Sequence, residues 1–188
     1  MSILTRDTVA HATAGTRTVV VVSGNPRRGS RTLTVAQALA DTVRAGLDGP
    51  VASQTIEVAD LGPEIFASER PRINGALTAI SRTDVLIVAT PVYKASYTGL
   101  LKLFLDQLPA NALTGVTAIP VIISAAPAHT LAAELHLRPL LVELGASVPT
   151  RGLAITEAQL PDLSQVVAEW RTHESDRLLR GLSLRVAG

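Results

Sequence analysis

Residues able to do chemistry concentrate in two stretches. The first, "VVVVSGNPRRGSRTLT" at 19–34, runs from four valines into a loop carrying two glycines, three arginines and the hydroxyls of Ser23, Ser30, Thr32 and Thr34. Hydroxyls and free backbone N–H groups at the start of a helix bind a phosphate, because the helix dipole places positive charge there. Arg27 and Arg31 add charge-assisted hydrogen bonds. Three phosphates compete for such a loop. A nucleoside triphosphate needs G-x-x-x-x-G-K-[ST], and here Gly29 is followed by Ser30 and Arg31 where the lysine and magnesium-holding hydroxyl belong. Its partner aspartate should end a buried strand, but "DVLIVAT" at 84–90 carries Asp84 at its start. A dinucleotide needs a second glycine where the chain has Pro26. A mononucleotide phosphate site and a solvated polar turn then fit the loop equally.

The second stretch is "ATPVYKASYTGLLKLFLDQLP" at 89–109, which holds both tyrosines of the chain, Tyr93 and Tyr97. Pro91 holds Thr90 extended, so the chain leaves its strand straight into a crevice. Flat, largely apolar side chains at that place suit a planar ring system.

These stretches need a scaffold. Continuous apolar runs at 19–23, 84–90 and 118–124 read as strands buried on both faces. Weaker patterns put strands at 51–58 and 147–155. Helices are expected at 30–45, with Ser30 as N-cap and Gly46 as terminator, and at 73–82, 98–108, 128–144 and 163–182. In the last of these, Val166, Val167, Trp170 and Leu178 form the inner face. Alternating strands and helices give an α/β fold with a doubly wound, five-stranded parallel sheet. Pro149, inside the last expected strand, favours a sheet edge, and the flavodoxin-like order 2-1-3-4-5 supplies one. Ligands of such sheets sit beyond the carboxyl ends of the central strands, here at the loops 24–30, 91–97 and 125–129.

Composition narrows the function. The 188 residues are 47% hydrophobic and 3% aromatic, with a formal net charge of +1, so no broad basic field for nucleic acid exists. The absence of cysteine removes disulfides, thiolate metal sites and redox thiols. No apolar run approaches the roughly 20 residues of a membrane span. Residues 1–17 read as a lead-in without secretory character and 18–188 as one domain, the whole being expected in the cytoplasm.

"SGNPRRGSRT" and "ATPVYKASYTGLLKLFLDQLP" resemble the NAD(P)H-dependent FMN reductases of two-component monooxygenase systems, among them the alkanesulfonate- and methanesulfonate-linked flavin reductases. The resemblance runs from Val19 through "AHTLAAELHLRPLL", and its second motif is the more specific. It implies a flavodoxin-like fold that takes FMN as substrate, NADPH or NADH as reductant, and a partner monooxygenase as recipient of reduced flavin. It implies a homo-oligomer, dimer or tetramer. Carried over, Ser23, Pro26, Arg27, Ser30, Arg31, Thr32 and Leu33 would hold the phosphate side. Pro91, Val92, Tyr93 and Lys94 would line the flavin, and Ser124, Ala125, Ala126 and His129 would close the other side. Tyr97 and Lys102 match as well, though packing or oligomer contacts also account for them. No side chain is implied as acid, base or metal ligand. An FMN-retaining quinone or azo reductase and a flavodoxin-type electron carrier are the rival readings of this fold.

Two features depart from the family pattern. The third loop has Ala125 and Ala126 where glycines are common, which would add methyl groups and restrict φ near the ring. Arg28 occupies a variable position, where it would meet either solvent or the 2′-phosphate of NADPH. The expected helix 128–144 contains Pro139, which cannot donate to the Leu135 carbonyl, so a kink or π-type bulge is expected near Leu135 and His136. Family members are said to carry such a bulge at a tetramer interface. His129 and His136 lie about 10 Å apart along that helix, too far to share one metal directly.

Overall fold

The computed structural model describes residues 15–184. Five parallel strands, β1 (Arg17–Ser23), β2 (Val51–Glu57), β3 (Val85–Pro91), β4 (Thr117–Ser124) and β5 (Leu153–Thr156), form one sheet in the order β2-β1-β3-β4-β5. This is the flavodoxin-like order expected from the sequence. The valine run explains why β1 is central. Val20 and Val22 join one apolar cluster with Leu86 and Val88 of β3. Val19 and Val21 join the opposite cluster with Val85 and Ile87. A strand that must bury both faces cannot lie at an edge.

The helices α1 (Arg31–Ala45) and α5 (Leu163–Leu184) cover one face, through Val35, Leu39 and Val43 of α1 and Val167, Trp170 and Leu178 of α5. The other face is covered by α2 (Pro71–Arg82), α3 (Gly99–Leu105) and α4 (Arg138–Glu143), through Ile73, Ile80, Leu101, Phe104 and Leu141. No helix among the described residues is long and apolar enough to cross a membrane. Asp84 sits at the amino ends of the strands, where its carboxylate accepts from the Thr18 amide at 2.8 Å and the Thr18 hydroxyl at 3.0 Å.

Several boundaries differ from the sequence reading. Arg17 is not part of a lead-in: it opens β1, and its amide donates to the Pro50 carbonyl at 3.0 Å. Of the rest of the expected lead-in, Gly15 and Thr16 are exposed and outside any element, and 1–14 lie outside the described residues. The strand expected at 147–155 is shorter. Ser147 makes only an isolated bridge to Thr117, and β5 starts at Leu153. Pro149 therefore lies in the connection and not in the strand, although β5 does lie at the edge. Acidic side chains claim the amides after it: Arg151 N–H donates to Glu174 at 3.0 Å and Gly152 N–H to Glu134 at 2.8 Å. They are spent before the ladder begins.

The expected helix 128–144 is three pieces: a 3₁₀ turn at Pro127–His129, a π-helical turn at Ala133–Leu137, and α4. The Arg138 amide reaches back to the Ala133 carbonyl, five residues away, and Pro139 follows at the start of α4. The wide turn accommodates the proline that an α-helical ladder could not. It also sets the Arg138 guanidinium against Glu134 at 2.5 Å and against the carbonyls of Val148 and Thr150 at 2.6 and 2.5 Å. Burial pushes the Glu134 carboxyl up, but hydrogen bonds from Arg138 and from the Gly152 amide outweigh it, so its pKa lies below the ordinary value.

Candidate flavin site

The first loop is a self-bonded turn. The Asn25 side chain accepts from the Arg27 amide at 2.9 Å and donates to the Thr32 hydroxyl at 2.9 Å. Such an Asx turn folds the chain back over its own helix. Gly29 has φ +56, a left-handed conformation that costs glycine nothing, and its amide donates to Glu57 at 2.9 Å. Ser30 caps α1, accepting from the Leu33 amide at 3.4 Å. The remaining first-turn amides of α1 have no acceptor within the helix. Thr34 points its hydroxyl at the Ser30 carbonyl, 3.5 Å away. The Arg31 guanidinium meets Glu157 at 2.8 Å, and Arg28 pairs with Asp60.

The second loop is a two-residue hairpin. Tyr93 and Ser96 exchange backbone hydrogen bonds of 2.8 and 3.1 Å. Lys94 and Ala95 between them have φ of 52 and 65. Positive φ at both central residues makes this a type I′ turn, usually the place of Asn-Gly. Two non-glycine residues there store strain, which the flanking contacts must hold. The Val92 amide donates to the Ile123 carbonyl at 2.8 Å, and the Thr98 amide to the Thr90 hydroxyl at 3.1 Å. The turn leaves Tyr93 48% exposed at its base. In the third loop the Ser124 hydroxyl donates to the Ala126 carbonyl at 3.0 Å. Ala126 has φ −134 and ψ 146. Alanine adopts that conformation freely, so the missing glycine pair imposes no backbone strain at Ala126.

A cavity of about 460 Å³ opens between the loops at the carboxyl ends of the strands. Arg27, Ser30, Arg31, Thr32, Pro91, Val92, Tyr93 and Ala125 line it, all of them expected from the sequence. Pro26, Leu33, Lys94, Ser124, Ala126 and His129 do not, although each belongs to one of the three loops, the first turn of α1 or, for Ser124, the end of β4. Ser23 lies at the end of β1 with 0% exposure and a hydroxyl without a partner, behind the wall and not in it. Asn25, Arg28, Gly29, Ile123 and Glu157 complete the lining. The Asn-Pro pair was a legible signal for the Asn25 turn. Glu157 had none, because it reaches Arg31 only once α1 is laid across the sheet. A second hollow of about 450 Å³ lies between α2 and β1–β2, lined by Thr18 and Thr83 from the amino-end side. Ligands of this architecture bind at the other end.

An anion cradle at a helix N-terminus and an exposed tyrosine therefore share one cavity of ligand size. The sequence profile of NADPH-dependent FMN reductases matches residues 17–159. The chain belongs to the NADPH-dependent FMN reductase family. It is an oxidoreductase whose cofactors are FMN and a reduced nicotinamide nucleotide. The match takes in all three loops of the cavity and ends just beyond Glu157. The chain is 37% identical over 156 residues to the NADH-dependent FMN reductase SfnF of Pseudomonas fluorescens (strain Pf0-1), covering 80% of this chain and 82% of that protein. It is 33% identical over 147 residues to the FMN reductase (NADPH) of Escherichia coli (strain K12), covering 77% and 75%. Its structure is similar to the apo form of the NADH:FMN oxidoreductase EMOB, with a TM-score of 0.71 and 35% identity over 84% of this chain and 89% of that one.

Proposed function

We propose that the cavity binds FMN with its phosphate at Ser30, Arg31 and Thr32 and its ring against Pro91, Val92 and Tyr93, and that the reduced flavin passes to a partner monooxygenase. The observation that carries this reading is the sharing of one cavity by the capped start of α1 and the Tyr93 turn. Neither half alone specifies a flavin. Arg27 and Ala125 complete the contacts, while Ser124 and Asn25 hold the loops in shape. When bound, FMN takes up the reducing equivalents of NAD(P)H, and that chemistry belongs to the cofactor. The protein orients the ring, anchors the phosphate through first-turn amides and hydroxyls, and shields the ring from water with Pro91 and Val92.

Release of reduced flavin to a monooxygenase is supported by the openness of the loop, whose Arg28 and Arg31 side chains face solvent. An assembly of identical chains is supported by Leu131, Leu135 and Val142, which expose apolar side chains just before the π turn, on it and on α4. We place the activity in the cytoplasm, where reduced nicotinamide nucleotides are abundant, with the chain from Arg17 onward acting as one domain. The deciding experiment is NADPH and NADH oxidation by the purified protein with and without free FMN. Saturable dependence on added FMN by a colourless protein is the expected result. Tightly held yellow flavin with quinone or azo-dye turnover would replace the reading with a flavin-retaining reductase, and no oxidation at all with an electron carrier.

A further inference from the structure

The phosphate loop carries Arg27, Arg28 and Arg31, but carboxylates already claim most of its anion-binding groups. Glu157, from the segment after β5, takes the Arg31 guanidinium at 2.8 Å and lines the same cavity. Glu57, the last residue of β2, takes the Gly29 amide at 2.9 Å. Asp60 takes Arg28. Two of the three loop arginines thus pair with carboxylates, and a third carboxylate holds a loop amide, brought by the end of β2, the turn after it and the segment after β5. Of the three, Arg27 alone has no ion pair among the described residues. A dianionic phosphate meets almost no net side-chain charge there.

We propose that Glu157, aided by Glu57, is an affinity-lowering residue of the flavin site: it competes with the flavin phosphate for Arg31, so FMN binds as an exchangeable substrate and not as a resident group. This rests on the FMN reading above. The competition is modest, because both partners are partly exposed, 64% for Arg31 and 44% for Glu157. Exposed ion pairs of this kind shift affinities by about two- to fivefold. Glu157 is a positioning residue, acting on FMN through Arg31.

The test measures FMN and riboflavin binding to the full chain by flavin fluorescence quenching. Riboflavin lacks the phosphate and reports the ring site alone. Glu157→Gln should tighten FMN about two- to fivefold at low salt and leave riboflavin unchanged. Glu57→Gln should act in the same direction. The gain should vanish when Glu157→Gln is made in an Arg31→Ala chain, a loss of effect that a merely structural role would not produce. Unchanged or weaker FMN binding in Glu157→Gln, while Arg31→Ala still lowers the preference for FMN over riboflavin, overturns the competition and leaves the phosphate site standing. Arg31→Ala without effect on that preference overturns the phosphate assignment, and the competition with it.

Discussion

The Thr98 hydroxyl donates to the Gly24 carbonyl at 2.6 Å, joining the helix after the tyrosine turn to the first residue of the phosphate loop. The same oxygen accepts from the Leu101 amide at 3.1 Å and so caps α3. Thr98→Val keeps the shape and removes both bonds. It should cost about 2–4 kcal/mol of stability, from a lost cap plus an unsatisfied buried carbonyl. Denaturant unfolding reads this directly, and an unmoved midpoint would contradict it. Gly24→Ala attacks the same junction, since its Cβ would lie 2.6 Å from Leu101 Cβ. Overpacking of about 1–3 kcal/mol is expected.

Ser30→Ala and Arg31→Ala should weaken FMN binding while the protein stays folded. The serine change costs about 1 kcal/mol of helix capping, and the arginine change lowers FMN affinity about tenfold. Circular dichroism alongside flavin titration separates the two effects. FMN affinity equal to wild type in both variants would remove the phosphate from this loop.

Ala95→Gly should stabilise the protein by about 1 kcal/mol, because alanine pays for a left-handed backbone that glycine adopts freely. Its φ of 65 lies in the second central position of the hairpin turn. Thermal unfolding of the variant should shift upward by a few degrees. A downward shift would mean that the Ala95 methyl makes a compensating contact.

Glu134 has a folded pKa below its ordinary value. Its stabilisation is therefore complete above the unfolded pKa and disappears as the pH falls through the folded one. Acid titration followed by circular dichroism should show the wild type losing stability below about pH 4.5, with Glu134→Gln lacking that part of the slope. Identical acid limbs would show that the Arg138 and Gly152 contacts do not hold the charged form.

Leu135 is 64% exposed on the π turn, with Leu131 and Val142 exposed nearby in the chain. Leu135→Glu should shift the protein toward smaller species in sedimentation velocity, since a charge would be buried in the proposed contact between copies. A wild-type protein that sediments as a monomer would end that proposal.

The central strands were legible because their valines and isoleucines must be buried on both sides, which leaves few other structures open. Ser30 was legible as a cap from residue type alone, whereas Thr98, read as the first residue of its helix, is the cap before it. The second loop showed its tyrosines but not its turn, because Lys94 and Ala95 carry none of the Asn-Gly signal that a type I′ turn normally gives. The break in 128–144 was foreshadowed by Pro139, but not the Glu134–Arg138 clamp that the wide turn creates. Pro149 pointed to the correct edge while lying outside the strand. Ser23 was read as a ligand from its place after the valines, yet the strand twists it fully inside. Glu157 was out of reach: its partner lies 126 residues earlier, and only the crossing of α1 over the sheet makes them neighbours.

The chain has one tryptophan, Trp170, 8% exposed on α5, whose indole N–H donates to the Arg151 carbonyl at 3.0 Å. Its ultraviolet emission is therefore a native optical probe of a single seam, where the last helix grips the segment leading into β5. A shift of that emission to longer wavelength marks water entering the seam, whereas flavin colour and fluorescence speak for the flavin pocket, so one cuvette reports on two places in the fold.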